Sequence, residues 1–413
     1  MKSVLRLFHA IAALFLIAAY RALGASPFGV APVALGANTI TNLIPDTYAA
    51  LKVVSRELVG LIPAVNRDSR ADRLAIGQTL RSAVAPVNTA GKDITAAMSL
   101  PSAADQVMAT EDFTITKARA FPFSWSGEQA YSVQQGPGLL SINQQQIAQA
   151  IRAAVGEIST DLFAIMRKGA SRATGTAGTT PFASNLDASA DVRQILDDNG
   201  CPQSDRHLVI NTAAGAKMRK LSQLQKVNEG GGDSLLRQGV LLDINGFAIR
   251  EDAKVAAVAA VGTGANYVLN GAHAVGATNV VVKTGTGTIL AGDVLTINGR
   301  KYVVKTGVAA AGTVVINDPG LMDAGADGDT VTVNAAFTAN LAFARDFAVL
   351  GTRLPALDGV QDLAYLREVV TDPVSGLSFE LAAYPGYRMA TFEIGIAWGA
   401  AVENRDHGAI ILG

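Results

Sequence analysis

A stretch rich in glycine, lysine and threonine, NVVVKTGTGTILAGDVLTINGRKYVVKTGV at 279–308, has the composition of a phosphate-binding loop. Such a loop places its glycines ahead of Lys and Ser or Thr at a helix start, so that backbone amides point at the anion. No Gly-Lys-Ser/Thr follows Gly285 or Gly287, and the next predicted element is a strand. Another candidate, the Gly-Thr-Gly that begins at Gly262, lacks the third glycine of a dinucleotide fingerprint. The glycines are therefore predicted to form turns between strands.

An acidic stretch, the DAGADGD that begins at Asp323, resembles the start of a calcium loop. Asp323, Asp327 and Gly328 fall at the first, fifth and sixth positions of that pattern. The third position is Gly325, however, and the twelfth is Asn334, where a bidentate Glu is expected. No helices are predicted on either side. The stretch is therefore predicted to be a hairpin loop rather than a calcium site.

The cysteine and histidine content gives little support to nucleophilic or zinc chemistry. Cys201 is the single cysteine, which excludes an intrachain disulfide and a cysteine-based zinc site. It lies in a Gly-Cys-Pro turn six residues before His207, and no oxyanion-binding pattern is evident nearby. The four histidines are isolated from one another in sequence: His9, His207, His273 and His407.

Paired carboxylates and tryptophans are also interpreted as structural. Two pairs of adjacent carboxylates are predicted at helix ends or turns, where such groups are usually solvated: Asp197-Asp198 and Glu251-Asp252. Trp125 and Trp398 are expected to be packing anchors. The sequence therefore predicts a protein that is not an enzyme, with no catalytic, cofactor-binding or metal-binding residue and no cofactor.

The overall composition limits the classes of protein to which the chain can belong. The chain has 413 residues, enough for two or three domains, with 34 basic and 35 acidic residues. Only 17% of residues are charged, so a sequence-wide basic field for holding nucleic acid is absent. Hydrophobic residues make up 49% and glycines number 41, which indicates an ordered structural chain with many turns.

The first residues, MKSVLRLFHAIAALFLIAAYRALGAS, have the pattern of a secretory signal. Lys2 and Arg6 precede an apolar run, and small residues such as Gly24 follow it. The run is too short for a comfortable membrane span. Two other interpretations stay open: a helix that docks on a partner, or a leader added by an upstream start codon.

Two amphipathic helices separated by an extended region are predicted next. In the first, Leu51 and other apolar residues recur at helical spacing between two prolines. Residues 66–138 have strand-like runs without a helical period and predict an extended β excursion. SINQQQIAQAIRAAVGEISTDLFAIMRKGA then opens with Ser141 and Gln144, a capping-box pair. Its long apolar stripe predicts a helix over 141–169, about 42 Å long.

The region that follows predicts an α+β body. DVRQILDDNG reads as a short helix, and the residues from His207 to Asn211 read as a buried strand. AAGAKMRKLSQLQKV predicts one further amphipathic helix. Asn245-Gly246, between two apolar runs, is a hairpin signal.

Residues 252–337 change character and predict a small β unit. Five or six short strands recur every 8 to 12 residues, and Asn298-Gly299 is a tight-hairpin signal between two of them. This spacing is typical of a small barrel or sandwich. The body resumes with NLAFARDFAVLGTRLP and ends in a strand-rich segment.

Several of these segments together resemble one protein family. They are NTITNLIPDTYAALKVVSRELVGLIPAV, TGTAGTTPF, AGAKMRKLSQLQKVNE, NLAFARDFAVLGTRLP and TDPVSGLSFELAAYPGYRMATFEIGIAWGA. They are similar to major capsid proteins of tailed double-stranded DNA bacteriophages, in the branch of the short-tailed Salmonella phages. The resemblance covers about residues 37–413, in order and in separate regions.

The resemblance implies a Hong Kong 97-type capsid fold, α+β, with a long spine helix, an extended β loop and an inserted small β-barrel domain. In the family this insert braces the subunit and takes part in contacts between capsomers. The implied divisions are a signal-like or arm extension (1–36), an arm helix (37–65), an extended β loop (66–138), the spine helix with a peripheral and axial body (139–251), the inserted barrel (252–337) and the remaining body (338–413).

The function implied is a shell that encloses the double-stranded DNA genome of a tailed phage or prophage. The expected partners are other copies of the chain in hexamers and pentamers, a scaffolding protein and a portal, with no membrane and no sequence-specific DNA binding. The expected location is the virion capsid, assembled in the cytoplasm of the bacterial host. Residues 1–36 depart from the family pattern and are interpreted as an extended arm or a start-site extension.

Three other functions remain as alternatives. The signal-like leader would suit an exported surface or adhesin-type structural protein. An encapsulin-like shell would share the fold and enclose cargo proteins, but the insert and the long β loop favour the phage role. A serine or cysteine hydrolase has the least support.

Overall fold

The computed structural model describes residues 59–84, 109–134, 139–225, 241, 243–258, 261–357, 363–372 and 375–413. The signal-like extension and the predicted arm helix around Leu51 lie outside these residues. The described chain begins with a buried segment, 61–65, that contains the 3₁₀ turn Ile62–Ala64.

The described residues form five α-helices and nineteen strands. The helices are α1 Gly127–Gln134, α2 Leu139–Gly169, α3 Asp187–Asp198, α4 Thr212–Met218 and α5 Ser222–Gln225. The strands up to the predicted insert are β1 Asn66–Leu74, β2 Thr79–Val84, β3 Ala109–Thr114, β4 Lys117–Ser126, β5 Arg172–Gly175, β6 Arg206–Ile210 and β7 Phe247–Glu251. The strands within 252–337 are β8 Tyr267–Leu269, β9 Asn279–Lys283, β10 Val294–Ile297, β11 Arg300–Thr306, β12 Gly312–Ile316 and β13 Thr330–Val333. The remaining strands are β14 Ala339–Ala344, β15 Ala348–Pro355, β16 Leu366–Thr371, β17 Ser378–Gly386, β18 Met389–Val402 and β19 Gly408–Leu412.

The first sheet, of six strands, is organised around the 14-residue strand β18. The first part of β18 pairs with β17 and the last part pairs with β15, while β4 covers the opposite edge. β16 continues the sheet beyond β17, and β1 adds a parallel strand beyond β15. The long strand β18 therefore pairs with β17 and then with β15, one after the other along its length.

The second sheet joins a five-stranded layer to a closed barrel. The layer has the order β5-β19-β14-β6-β7. The barrel has the order β10-β13-β8-β9-β12-β11, and pairing of β10 with β11 closes it. Lys301 and Tyr302 of β11 pair with Ala173 and Arg172 of β5, so the barrel continues the layer edge to edge.

The barrel strands lie between β7 and β14 in the sequence, inside the range that predicts a small β unit. Their alternating inward side chains make a separate apolar core that includes Tyr267, Leu295 and Tyr302. Because β10 pairs with both β11 and β13, the barrel closes on itself and leaves no open edge between its first and last strands.

The predicted long helix is present as α2, which runs for 31 residues. It begins at Leu139, so Ser141 lies in its first turn rather than at the N-cap position. Its apolar stripe, including Ile151, Ile158 and Leu162, is buried in the main core. The core also contains residues of β14, β15, β17, β18 and β19, so α2 packs against both sheets. In the described ranges, no helix has both the length and the apolar character needed to cross a bilayer.

The structure corrects the sequence-based prediction at α1, within the range expected to be an extended β excursion. Ser126 and Gln129 form a capping box there: the Ser126 amide donates to Gln129 Oε1 (3.0 Å), and the Gln129 amide donates to Ser126 Oγ (3.2 Å). This Ser-Gly-Glu-Gln signal was visible in the sequence. In the rest of the range, β1 and β4 belong to the first sheet and β2 pairs with β3 as a separate two-stranded sheet.

A second correction concerns the helix predicted from AAGAKMRKLSQLQKV. The structure has two short helices there, α4 and α5. α4 begins after Asn211, whose Oδ1 accepts from the Ala214 amide at 2.8 Å. It ends in tight turns, with Lys220 N bonded to Lys217 O and Leu221 N bonded to Met218 O. Burial of Leu221 and Leu224 in the adjacent core favours this break over a straight helix.

We expect Gly299→Val to destabilise the barrel. Asn298 and Gly299 have φ values of 50° and 78°, as the tight hairpin signal predicts. A Cβ at Gly299 would meet nothing within 4 Å, so the cost is conformational and amounts to about 1–2 kcal/mol. The melting temperature and the urea midpoint of the full chain measure it. Gly312→Val is the matched control, because a Cβ at Gly312 makes only ordinary contacts; equal stability of both variants would contradict the turn assignment.

Candidate functional site

The glycines of the phosphate-like stretch lie at the ends of barrel strands. A Cβ at Gly285 would overlap the ring of Tyr267, whose hydroxyl donates to Gly287 O at 2.6 Å. Gly287 has a φ of 83°, as a turn between strands requires. These glycines permit close packing over a tyrosine and do not form an anion loop at a helix start.

The carboxylates of the calcium-like stretch are each bonded to protein donors. Asp327 accepts from the Gly271 amide (2.7 Å) and from Lys283 Nζ (2.6 Å), which lowers the pKa of its carboxyl. Asp323 pairs with Arg300. In the described ranges, no group of three or more His, Cys, Asp or Glu side chains is placed to hold a metal ion.

Cys201 and His207 have different partners and do not make a nucleophile–base pair. Cys201 is buried, and that burial raises the pKa of its thiol to about 11. His207 Nε2 lies 3.1 Å from Asp205 Oδ1 and 3.5 Å from Arg345 Nη2. Burial, followed by the charge of Arg250, lowers the pKa of His207. A thiol that stays protonated is a poor nucleophile at neutral pH.

The expectation of solvated carboxylate pairs is wrong for Asp252, which is 1% exposed. Its Oδ2 accepts from the Gly60 amide (3.0 Å), the Leu61 amide (2.9 Å) and Ser159 Oγ (3.1 Å). Its Oδ1 accepts from the Lys254 amide at 2.8 Å. Asp252 therefore joins the first described residues to the middle of α2. Most of these partners are far away in sequence, so no local pattern could have identified the site.

Both tryptophans anchor α2 to the first sheet, as expected for packing anchors. Trp125 Nε1 donates to Gln146 Oε1 at 2.7 Å, and Trp398 Nε1 donates to Asp161 Oδ2 at 3.0 Å. Lys117 Nζ also donates to Asp161, at 2.9 Å. Because the two indoles lie on β4 and β18, the contacts fix the position of the helix on both strands.

The far end of α2 is held by the barrel. Asn317 Nδ2 donates to Lys168 O (2.8 Å) and to Ala170 O (2.7 Å), carbonyls at the end of the helix. Asn317 Oδ1 accepts from Arg405 Nη1 at 3.1 Å. Arg167 Nη1 donates to Gly292 O, also on the barrel, at 3.0 Å. A side chain that follows barrel strand β12 thus caps α2, the longest helix among the described residues.

A polar groove of about 610 Å³ runs beside α2. Its lining includes Lys117, Arg152, Glu157, Thr160 and Lys254. The charges have both signs. Lys117 is paired with Asp161 and also with Glu157, and these two carboxylates raise the pKa of its ammonium group. These lining residues do not form a nucleophile–base or metal-binding arrangement.

An apolar strip lies at the edge of the first sheet opposite β1, on and just before β16. The strip is a stretch of chain with four exposed apolar side chains, Leu363, Tyr365, Leu366 and Val369, which are 79%, 60%, 44% and 50% exposed. Leu366 and Val369 lie on opposite faces of the sheet, because side chains alternate along a strand. β16 is the last strand in the order of this sheet. Exposed apolar side chains on an edge strand are typical of surfaces that pair with another chain.

Comparisons with known proteins give matches among solved phage structures. No protein-family model matches the sequence, and no curated protein matches it. A structure from Mycobacterium phage Che8 is 15% identical, with a TM-score of 0.46 over 90% of this chain and 98% of that one. The capsid of Cyanophage P-SCSP1u is 12% identical, with a TM-score of 0.48 over 94% and 99%. The mature capsid of bacteriophage PhiM1 is 10% identical, with a TM-score of 0.48 over 94% of both chains. At these identities and TM-scores, function has to be argued from the chain's own residues.

We expect Asp252→Asn to weaken the attachment of the first described segment to α2. The substitution replaces one carboxylate oxygen with an NH₂ group, which would face backbone N–H groups that now donate to Asp252. Each buried donor left unpaired lowers the free energy of unfolding by about 1–3 kcal/mol. Urea denaturation would show a lower midpoint, and limited proteolysis would cut faster near Leu61. The control is Asp243→Asn, at an exposed position on the same stretch of chain. Equal behaviour of the two variants would contradict the anchoring role.

We expect Asn317→Asp to destabilise the contact between the barrel and α2. Aspartate replaces a donor with a carboxylate oxygen that faces two carbonyls, a buried mismatch worth about 1–3 kcal/mol. Hydrogen exchange of the amides near Ala170 should rise and the melting temperature should fall. Asn270→Asp, on the exposed side of the barrel, is the control. Unchanged exchange near Ala170 in Asn317→Asp would exclude the capping role.

Proposed function

We propose that this chain is a major capsid protein, which self-assembles into the icosahedral shell around the double-stranded DNA of a tailed phage or prophage. The observation that carries the proposal is the architecture around α2. One 31-residue helix is fixed to two sheets, and a closed barrel caps its end. This combination supports a subunit whose task is mechanical.

The contacts of α2 suit a wall subunit because they hold both ends of a long element. Trp125 and Trp398 fix the helix on the first sheet, and Asn317 fixes its last turn on the barrel. A shell subunit needs a rigid frame because its neighbours must meet it at reproducible angles. Large interfaces take the place of a catalytic pocket in such a protein.

The charge of the chain also supports a container for DNA. Thirty-four basic and 35 acidic residues leave a formal net charge of −1. Dense phosphate contacts would hold the DNA against the wall, because each contact adds salt-dependent affinity. A near-neutral wall encloses DNA without resisting its entry or exit.

The finer assignment rests on the sequence resemblance. We propose the Hong Kong 97-type fold of the short-tailed Salmonella phage branch, with the barrel as its inserted domain and α2 as its spine helix. The chain divisions given above, the hexamers and pentamers, the scaffolding protein, the portal and assembly in the host cytoplasm are parts of the same proposal. The strand pair β2–β3, set apart from both larger sheets, supports the extended loop.

Electron microscopy and sedimentation of the full chain test the function, with and without a candidate scaffolding protein from the same genome. We expect closed particles of megadalton mass. A chain that stays monomeric even with scaffold would overturn the proposal. Particles that enclose proteins in the native host, in place of DNA, would contradict the phage role.

A variant of the apolar strip makes this test sharper. In a shell we expect the strip to be buried against a second copy, so Leu366→Asp should lower the assembled fraction. The subunit should keep its stability, because Leu366 is 44% exposed. Thr371→Asp, at an exposed polar position of β16, is the control. Normal assembly of Leu366→Asp would exclude the strip from the interface. It would not contradict the shell function, which the formation of closed particles tests separately.

A further inference from the structure

β16 is an edge strand of the first sheet, and its exposed apolar side chains lie on both faces of that sheet. Among the described residues it pairs with β17 and with no other strand. Val370 packs on the main core, so the alternation along a strand places Leu366 on the α2 side and Val369 on the other side. A partner docked on one face would cover only one of these two side chains. A strand added along the edge would flank both.

The two other edge strands of this sheet, β1 and β4, carry features that prevent such an addition. β1 has a register shift between Ser69 and Arg73, and most of its residues are charged. β4 contains Pro122, which has no N–H to donate, together with Lys117 and Arg119. Bulges, prolines and charges are the usual protection of an edge against another chain. β16 contains no proline, and its pairing with β17 has no register shift.

The charges of β16 leave its edge mostly apolar. Arg367 points back over the sheet, where its guanidinium bonds to Glu380 and lies 5.9 Å from the ring centroid of Tyr384. Glu368 is therefore the one exposed charged side chain of β16. An edge of this kind favours pairing with another strand.

The ladder with β17 shows which backbone groups of β16 point outward. The Asp372 amide donates to Leu377 O at 2.9 Å, and these two residues continue the register of the pair. Hydrogen-bonded and non-hydrogen-bonded pairs alternate along an antiparallel ladder. The N–H and C=O groups of Val369 and Thr371 therefore point away from β17, toward the free edge.

The residue pattern of β16 fits its own reverse copy in one central register. When two identical antiparallel strands pair around a two-fold axis, the residue at the axis lies opposite its own copy. An axis at Arg367 or Glu368 would place like charges opposite each other, and an axis at Val370 would place Glu368 opposite Asp372. An axis at Val369 places valine opposite valine and Glu368 opposite Val370. Axes nearer the ends of β16 would pair fewer of its residues.

We propose that β16 pairs with β16 of a second copy of this chain, antiparallel and around a two-fold axis at Val369. The first sheets of the two subunits then form one continuous sheet. The pairing satisfies the outward N–H and C=O groups of both edges, and it covers apolar side chains on both faces. This inference deepens the proposed function, on which it rests, because it assigns the apolar strip to a two-fold contact between subunits.

A disulfide tests the register of the pair. The two Cα atoms at position 369 would lie about 5.5 Å apart, within the range that a disulfide spans. Val369→Cys should therefore give a crosslinked dimer when the full chain is oxidised by oxygen with a copper catalyst. Leu366→Cys is the matched control, because its two copies would lie about 20 Å apart along the strands. The unmodified chain should stay uncrosslinked, since Cys201 is buried.

A mixture of charge variants tests the two-fold axis. Val369→Lys and Val369→Glu should each lose the pairing, because each places like charges opposite each other at the axis. An equal mixture of the two chains should recover it. Sedimentation measures the associated fraction. Thermal melting should be nearly the same for all three chains, because Val369 is 50% exposed.

The outcomes separate this contact from the shell. Closed particles in which Val369→Cys gives no more crosslink than Leu366→Cys would overturn the pairing and leave the shell intact. A mixture that associates no better than either charge variant alone would also overturn the pairing. Crosslinked Val369→Cys dimers from a chain that forms no particles would support the pairing and contradict the shell. A chain that stays monomeric under every condition would overturn both.

Discussion

The buried apolar stripe of α2 is the constraint on which the rest of the structure depends. A helix of 31 residues cannot be covered by one small sheet, so its stripe is buried by strands of both sheets. Each large apolar side chain buried along it contributes about 1.5–3 kcal/mol. Ile151, Ile158 and Leu162 are each at most 5% exposed. The two sheets are therefore held in one subunit by the helix that they share.

Hydrogen bonds from a few buried polar side chains then fix how the pieces meet. Apolar contacts are non-directional, so they leave the position of a helix along a sheet poorly defined. Asp252, Asn317 and Trp398 each make directional bonds between segments far apart in sequence. A misplaced neighbour would leave these buried groups unpaired, which is costly in a low dielectric.

The edge strand β1 is held in a different way, by charges. Buried Arg353 donates to Asp68 O (2.7 Å) and to its carboxylate (2.6 Å). Arg73 and Arg367 both bond to Glu380, which keeps the pKa of that carboxyl low despite its burial. Pairing between remote strands brings these groups together, and it explains how a strand with few buried side chains stays on the sheet.

The sequence by itself determined the elements whose signals are local. The apolar period after Ser141 predicts α2, and Asn298-Gly299 predicts the hairpin, because a helical stripe and a positive φ are properties of neighbouring residues. The regular strand spacing in 252–337 likewise predicts a small barrel or sandwich, and the pairing of β10 with β11 shows that it is a barrel. The capping box of α1 is also a local signal, at Ser126 and Gln129. The residues before it are strand-like, and for that reason the whole range 66–138 is predicted as extended.

Only the tertiary structure decided the partners of the buried polar groups. Asp252 reads in sequence as a solvated turn carboxylate, and its contact with Leu61 spans 191 residues. No local pattern marks Asn317 as a cap, because the carbonyl of Lys168 to which it donates lies 149 residues earlier. The register of β11 on β5 and the contact of His407 with Asp346 are also contacts between segments that are remote in sequence. The free energy of such contacts depends on distances between remote segments, and a linear pattern of residue types does not contain those distances.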